Sequence, residues 1–374
     1  MFILLNSIFL LFLSLLWARL NQPSKRLIRI FILFWLVILF SSFYLNGMDW
    51  AIYFIKFEND NELYKSFETG FILLFKFLLF FSYYHFGVAI IIFYFIAFSM
   101  LLYSLSKYKL NEPFFIAILI IMCGHTLILE QLRQFLACLI IFPSLIEYQK
   151  NNSLKKTYLL VIFASLFHIS ALLILPVIFL CTIKNKYFFL ISTIGSILFI
   201  IILLMSSHYL LSFLESFNFI FTKISYYLEK NPIEIKFGWI NILIFIFPIM
   251  YILDIKNIEN HSNNKLLLRF LFIGATILIF SGTILFLNRF SFYFIFILIY
   301  MILIYNKNTK QKKSRNILVN GYFTLLVLFS FLSYFRNDVA PVKFDNLDLH
   351  FFDLFEYNYL KVNSEVILLK ELNG

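Results

Sequence analysis

Residues 87–106 read GVAIIIFYFIAFSMLLYSLS, and this uncharged run decides the fold. A helix needs about 20 apolar residues to cross the hydrocarbon core of a bilayer. Comparable runs recur along the chain, and they are continuous, whereas the strands of a membrane barrel alternate residue by residue. The pattern predicts an all-α, polytopic transmembrane helical bundle with about 11–13 membrane helices, one or two of them short or re-entrant.

The composition excludes an ordinary soluble fold. Hydrophobic residues make up 62% of the chain and charged residues 14%, against roughly 45–50% and 25% in soluble domains. The net charge of +11 comes from basic residues in short loops between apolar runs, which indicates the positive-inside pattern and argues against nucleic-acid binding. The three cysteines lie in or at the end of apolar runs without a CxxC pair, as is typical of core residues.

The apolar runs predict most of the spans directly. They lie at about 2–17, 28–45, 87–106, 113–129, 133–149, 187–205, 239–253, 266–286, 290–305 and 316–334. Two further stretches have unsuitable lengths. We expect 71–84 to form a re-entrant or interfacial helix, and 157–183 to form two short helices that meet near His168.

The charges predict the topology. Basic residues follow the first span at Arg19, Lys25, Arg26 and Arg29, which places the N-terminus outside and the first loop in the cytoplasm. The outer loops are then about 46–70 and 206–237, within a transmembrane domain at 1–335. The tail at 336–374 is expected outside, where its amphipathic stretch 347–360 is suited to the membrane surface. This topology also places three ionisable residues near the outer membrane face: Arg133, His168 and Arg289.

These three residues are the candidate catalytic groups, because an ionisable side chain in an apolar run costs about 2.5–3.5 kcal/mol on insertion scales. Arg133 is either an interfacial anchor paired with Glu130 at i−3 or a clamp for an anion, since guanidinium matches phosphate oxygens. Arg289 is either a helix-end residue or a second clamp. His168 is either a structural histidine, a general base or a phosphate donor; His85 and His125 are weaker candidates.

Polar and aromatic residues before and around Arg133 form a second group of candidates. Asp49 is either a helix N-cap beside an aromatic belt or a carboxylate that, with Trp50 and Tyr53, binds a polar substrate such as a sugar. Glu68 is either a cap or a second carboxylate. The predicted substrate-binding residues are Asp49, Trp50, Tyr53, Glu68, Glu130 and Gln134.

Nucleotide and metal motifs do not occur in the sequence. There is no P-loop, GxGxxG, HExxH, GxSxG or metal-spaced cluster, so we expect no nucleotide-driven chemistry, no metal site and no cofactor.

Four short motifs and a late arginine occur in a recognisable order. They are Asp49-Trp50-x-x-Tyr53, Glu68-Thr69-Gly70-Phe71, Arg133-Gln134-x-x-Ala137, Phe167-His168-x-Ser170-Ala171 and Arg289. Over about 1–305 this order resembles the EpsG family, which is related to the Wzy-type polymerases of O-antigen and capsule. Thr69 stands where the family usually has proline. This difference makes the start of the helix less rigid, but the acidic residue of the motif, Glu68, is retained.

The resemblance implies a polysaccharide polymerase of the bacterial cytoplasmic (inner) membrane. Its substrate would be an oligosaccharide repeat unit linked to undecaprenyl pyrophosphate. Because this lipid carrier is the leaving group, the reaction would need no sugar nucleotide. Arg133 and Arg289 would hold the pyrophosphate, His168 would act as base or phosphate donor, and Asp49 or Glu68 would orient the acceptor. A chain-length regulator and a flippase of the same pathway are the implied protein partners.

Two other functions remain open from the sequence. A flippase or other transporter of lipid-linked oligosaccharide would have polar residues along a whole pathway and internal repeats, and we find no clear repeat. A membrane O-acyltransferase that modifies the polysaccharide would also use histidine and arginine, but it would face an acyl donor in the cytoplasm.

Overall fold

The fold is described from a computed structural model, which covers residues 2–47, 49–58, 67–151, 153–205, 239–253, 264–279, 287–307, 313–333 and 350–373. The α-helices in chain order are α1 Phe2–Trp17, α2 Gln22–Phe43, α3 Asp49–Glu58, α4 Thr69–Phe81, α5 Phe86–Lys107, α6 Glu112–Cys123, α7 Leu132–Asn151, α8 Leu154–Ser165, α9 Ile174–Cys181, α10 Lys186–Met205, α11 Trp239–Leu253, α12 Lys265–Ile279, α13 Asn288–Lys307, α14 Lys313–Ser333 and α15 Tyr357–Asn373. Short 3-10 segments occupy Tyr44–Asn46, Ile169–Leu173 and Asp353–Phe355, and a π-helix occupies Gly124–Glu130.

The all-α fold class is confirmed, since these described residues contain helices and no strand. Within the described ranges, three helical segments are long and apolar enough to cross a membrane: Gln22–Asn46, Phe86–Lys107 and Glu112–Glu130. Shorter apolar helices accompany them. The predicted spans agree with the observed helices to within a few residues at most ends, whereas the number of membrane helices stays a prediction.

Two helix starts illustrate how the sequence sets these boundaries. Asn21 and Asn111 are N-cap residues, and their side-chain oxygens accept the backbone N–H groups of Ser24 and Phe114 at 2.9 and 3.3 Å. A proline lies in the first turn of each helix, where its missing N–H costs nothing. The pattern Asn-x-Pro therefore begins both α2 and α6.

Helix α4 is short, as predicted. Its 13 residues span about 20 Å at 1.5 Å per residue, which is less than the hydrocarbon core of about 30 Å. Tyr83 and Tyr84 then adopt positive φ angles of 51° and 64°, a conformation that reverses the chain before α5 begins. The predicted interfacial or re-entrant location of this helix stays a prediction.

The predicted division of 157–183 is confirmed. Helix α8 ends at Ser165, the 3-10 segment begins at Ile169, and α9 follows it. His168 lies at the break between the two helices.

The described residues belong to two compact units. The first comprises Met1–Ser144, Leu154–Ala171 and Ile299–Gly374, and the second comprises Leu145–Ser153 and Leu172–Leu298. Within the first unit, α1 packs on α6, α2 on α5, α4 on α5, and the C-terminal α15 on α3. Within the second unit, α11, α9 and α10 pack on α12.

The C-terminal residues fit closely onto the first unit. A Cβ added to Gly87 would lie 2.2 Å from the carbonyl oxygen of Leu354, so only glycine permits this approach. The Tyr357 hydroxyl donates to the Glu58 carboxylate, and the His350 backbone N–H donates to the Ser42 carbonyl at 2.9 Å. The assignment of 336–374 as a separate tail stays a prediction, and its residues before 350 lie outside the described part of the chain.

Other predicted features also lie outside the described residues. They are the outer loop at 206–237, residues 59–66 of the loop at 46–70, and residues 280–286 of the span at 266–286. The three cysteines, Cys123, Cys138 and Cys181, are described, and each is buried.

Candidate functional site

Helix α3 supplies the first wall of the site. Trp50 and Tyr53 lie three residues apart, which puts both on one side of the helix, and they are 2% and 1% exposed. The Tyr53 ring lies 5.2 Å from the ring of Phe67 and 5.4 Å from that of Phe71. Because both site aromatics are covered in this structure, their predicted role in sugar binding stays a prediction.

An ion pair between Arg133 and Glu68 forms the centre of the site. The Arg133 Nη1 atom lies 2.6 Å from Glu68 Oε2, and the two side chains are 17% and 11% exposed. The Arg133 Nε–H donates to the Tyr53 hydroxyl at 3.3 Å, and the guanidinium carbon lies 4.9 Å from the centre of the Phe67 ring. This stacking adds a cation–π contact. The predicted anchor pairing of Arg133 with Glu130 is wrong, because α4 brings Glu68 to the guanidinium instead.

Glu68 also joins Arg133 to the turn that contains His168. Its Oε1 atom accepts a hydrogen bond from the backbone N–H of Ile169 at 3.3 Å, while Oε2 accepts one from Arg133 Nη1. Glu68 occupies the N-cap position of α4 with an extended backbone, but its side chain makes no capping bond. Of the two predicted roles of Glu68, the structure therefore favours the second: its carboxylate contacts other elements and does not cap its own helix.

The beginning of α4 is bound to the same turn through the backbone. The N–H groups of Gly70 and Phe71 both donate to the Leu166 carbonyl, at 2.9 and 3.2 Å. A Cβ on Gly70 would come within 2.8 Å of that oxygen. Glycine in the Glu-Thr-Gly-Phe motif is therefore required for this close approach, which carries Glu68 to its partners.

His168 is buried in this turn, with 2% of its surface exposed. Its Nδ1 atom lies 2.7 Å from the Ser170 hydroxyl oxygen and accepts the Ser170 backbone N–H at 3.2 Å. The His168 carbonyl accepts the Ala171 N–H at 3.0 Å. The Phe-His-x-Ser-Ala motif is thus a compact local turn, and it holds the imidazole in place.

Glu130 contacts the N-terminal end of α3. Its Oε2 atom accepts the backbone N–H of Asp49 at 3.1 Å, where the helix dipole favours a negative charge. A Cβ on Gly47 would lie 3.1 Å from the Glu130 carboxylate, so glycine leaves room for it. Glu130 is also the last residue of the π-helix, and π-helical turns occur frequently at functional sites.

Tyr53 stays protonated in this environment. Burial raises the pKa of its phenol to about 12, and the positive charge of Arg133 opposes this rise. The phenol is therefore neutral near neutral pH, and it accepts the Arg133 hydrogen bond without adding a negative charge.

The remaining predicted residues are placed as follows. Asp49 is the first residue of α3 and is partly exposed, and Gln134 is fully buried next to Arg133 on α7. Arg289 is the second residue of α13 and belongs to the second unit. The structure thus brings together four of the predicted residues within the first unit: Tyr53, Glu68, Arg133 and His168. Arg289 belongs to the second unit.

Two arginine interactions were not predicted. Arg269 in the second unit is 1% exposed, donates to the carbonyls of Cys181 and Ile183, and stacks 4.5 Å from the Phe189 ring. Arg29 in the first unit holds Glu112 through two bonds of 2.5 and 2.8 Å. The position of Arg269 inside an apolar run was the available signal, whereas Arg29 was attributed to the basic first loop.

The fold and the site together define a helical membrane protein with a partly buried arginine held by a carboxylate. A model of the EpsG family matches residues 25–345, and the chain belongs to this family. The EpsG family is a Wzy-type polymerase-like family, so the resemblance read from the motifs is confirmed. All of those motifs lie inside the matched range. No curated protein and no solved structure matches the chain.

Proposed function

We propose that this protein joins undecaprenyl-pyrophosphate-linked oligosaccharide repeat units into O-antigen, capsular polysaccharide or exopolysaccharide. The reaction would take place at the outer face of the bacterial cytoplasmic membrane. Membership of a Wzy-type polymerase-like family supports this class of function. The observation that carries the proposal is the ion pair of Arg133 with Glu68, because a partly buried guanidinium with an exchangeable carboxylate partner supports an anion site.

An arginine that pairs with a side-chain carboxylate can exchange its partner. Glu68 reaches Arg133 from the N-terminal end of α4 through rotatable bonds, so a phosphate oxygen can take its place when the substrate binds. Guanidinium binds carboxylate and phosphate in the same planar geometry. The contacts to Tyr53 and Phe67 meanwhile keep the arginine in position.

The proposed reaction needs a group that stabilises the departing pyrophosphate. The acceptor hydroxyl oxygen forms a bond to the anomeric carbon, and the bond from that carbon to the pyrophosphate oxygen breaks. The pyrophosphate keeps the electron pair, and the hydroxyl proton passes to a carboxylate, for which Asp49 is our candidate. Arg133 offsets the charge that grows on the leaving oxygen, so neither a metal nor a nucleotide has a required part.

The other predicted residues receive roles on the same basis. Arg289 is proposed as a second cation for the pyrophosphate. Asp49 and Trp50, at the start of α3, are proposed to orient the acceptor sugar with Glu130 and Gln134. A chain-length regulator and a flippase are the proposed partners in the pathway.

The test uses a strain that lacks this protein, complemented with the wild type, Arg133→Ala, Arg133→Lys or Arg19→Ala at matched membrane levels. Arg19 is an exposed cation and serves as the matched control. The length of the surface polysaccharide and the side of the membrane that holds the lipid-linked repeat units are measured.

We expect single repeat units on the outer leaflet and no long chains in the strain without the protein. Arg19→Ala should restore long chains, whereas Arg133→Ala should not, and Arg133→Lys should restore them poorly because a single ammonium lacks the planar fork. Repeat units that accumulate on the cytoplasmic side would favour a flippase. Unchanged chain length with altered acylation would favour an O-acyltransferase.

A further inference from the structure

The imidazole of His168 accepts a hydrogen bond that fixes its proton. The backbone N–H of Ser170 points at Nδ1 over 3.2 Å. A backbone N–H is only ever a donor, so Nδ1 must present its lone pair. A neutral imidazole carries one N–H, and the backbone therefore assigns the proton of His168 to Nε2.

The Ser170 hydroxyl supports the same assignment. It lies 2.7 Å from Nδ1, and since Nδ1 accepts from the backbone, the hydroxyl donates to it as well. A proton on Nδ1 would face the backbone N–H of Ser170 directly, which disfavours the imidazolium in this turn. The side chain that could have bound Nδ1–H thus acts here as a donor.

The neighbourhood of His168 already holds an anion. The Glu68 carboxylate accepts from the Ile169 N–H at 3.3 Å through one oxygen and from Arg133 at 2.6 Å through the other. An anionic ligand that displaces Glu68 meets both donors at once. His168 directly precedes Ile169, so its imidazole belongs to the same turn as one of these two donors.

We infer that His168 donates a hydrogen bond from Nε2–H to an anionic oxygen of the pyrophosphate, and that it is not the base for the acceptor hydroxyl. Ser170 is then a positioning residue, which keeps the proton on Nε2. This inference rests on the proposed function and decides between the two roles that the sequence leaves open for His168. With Arg133 and the Ile169 N–H, it makes three donors around the place that Glu68 occupies.

The test compares two replacements of His168 in the full-length purified protein. His168→Gln retains an amide N–H near the position of Nε2 but no base, and His168→Leu retains neither. Chain extension is assayed with lipid-linked repeat units extracted from a strain that lacks this protein. Binding of inorganic pyrophosphate, measured as protection against thermal unfolding, gives a readout that does not depend on activity. His125→Gln is the control, because His125 is also a buried histidine of the first unit and has no part in the proposed reaction.

We expect His168→Gln to keep activity within about tenfold of the wild type, and His168→Leu to lose about a hundredfold together with pyrophosphate binding. Equal loss in both variants, of about a hundredfold or more with unchanged pyrophosphate binding, is what a general base predicts, and it would overturn the inference. If wild-type protein binds pyrophosphate but extends no chain, the proposed function fails, and binding by the two variants still decides the donor role.

Ser170→Ala provides the second readout. The backbone donor remains in this variant, so we expect only a several-fold loss of activity. In the His168→Gln background the same substitution should have no further effect, because Ser170 acts through the imidazole. An equal loss in both backgrounds would mean that Ser170 has a separate structural role.

Discussion

Each of the two units contains an arginine packed among its helices, Arg133 partly buried and Arg269 fully buried, and the two arginines have different kinds of partner. Arg133 in the first unit bonds to the side chains of Glu68 and Tyr53. Arg269 in the second unit bonds to the backbone carbonyls of Cys181 and Ile183. Both guanidinium groups also stack on a phenylalanine ring, at 4.9 and 4.5 Å.

The difference in partners separates a structural arginine from an exchangeable one. The two carbonyls around Arg269 belong to the last residue of α9 and to Ile183 just after it, where backbone acceptors have no partner within the helix. They cannot turn away without unwinding the chain. A carboxylate can rotate away, so Arg133 is able to release Glu68 to another anion. Burial of an arginine alone therefore does not indicate function, and the mobility of its partners is the better guide.

The largest expected effect is on stability, from Arg269→Met. Each carbonyl left buried and unpaired costs about 1–3 kcal/mol, so we expect a much lower unfolding temperature and a lower amount of protein in the membrane. Thermal unfolding of the purified protein measures this directly. Normal stability with lost polymerisation would reverse the comparison and make Arg269 the functional arginine.

Arg133→Met should give the opposite division between stability and activity. We expect activity per folded molecule to fall by about a hundredfold, as when a donor to transition-state charge is removed. Membrane levels should stay close to those of the wild type, because Glu68 keeps its bond from the Ile169 N–H and methionine keeps the apolar contact with the Phe67 ring. Polymer formed per molecule of protein is measured beside Arg269→Met. A loss that only follows the protein level would reduce Arg133 to an anchor.

Glu68→Gln tests whether the carboxylate competes with the ligand. The amide keeps the shape of the side chain but removes its charge, so Arg133 should bind inorganic pyrophosphate more tightly, by about 1 kcal/mol or roughly fivefold. Calorimetric titration of the purified protein measures the change. Glu356→Gln is the matched control, because Glu356 is an exposed carboxylate of the first unit and its replacement should leave pyrophosphate affinity near the wild-type value. Weaker binding in Glu68→Gln would mean that Glu68 helps to hold the ligand.

The sequence alone predicts the helices of this protein better than it predicts the ion pair at the site. Helix positions followed from apolar runs and caps, because lipid requires that backbone polar groups be satisfied within each helix. The break at His168 was predicted for the same reason, since 157–183 is too long for one span. The pairing of Glu68 with Arg133 was not predicted, because the contact joins residues 65 positions apart and depends on how α4 packs.

Local spacing gave the wrong partner for Arg133 and no signal for Arg29. Glu130 lies three residues before Arg133, which suggests a pair on one helix face. The chain between them changes from π-helix to α-helix at Gln131, so the spacing rule does not apply, and Glu130 meets the N–H of Asp49 instead. Arg29 was counted with the basic loop residues, although the beginning of α6 supplies Glu112 as its partner.

The smallest expected effect comes from Tyr53→Phe, which removes one acceptor from Arg133. The bond is long at 3.3 Å, so we expect a loss near the lower limit for a hydrogen bond, about 0.5 kcal/mol or roughly twofold in activity. Tyr44→Phe is the matched control, because the buried Tyr44 hydroxyl has no hydrogen-bond partner within the described part of the chain. Chain extension by the two variants is compared at equal protein concentration.

Because the Tyr53 phenol has a pKa of about 12, Tyr53→Phe and the wild type should keep the same pH profile near neutrality. A changed profile would mean that Tyr53 takes part in proton transfer, and Arg133 would then be held for chemistry rather than for anion binding.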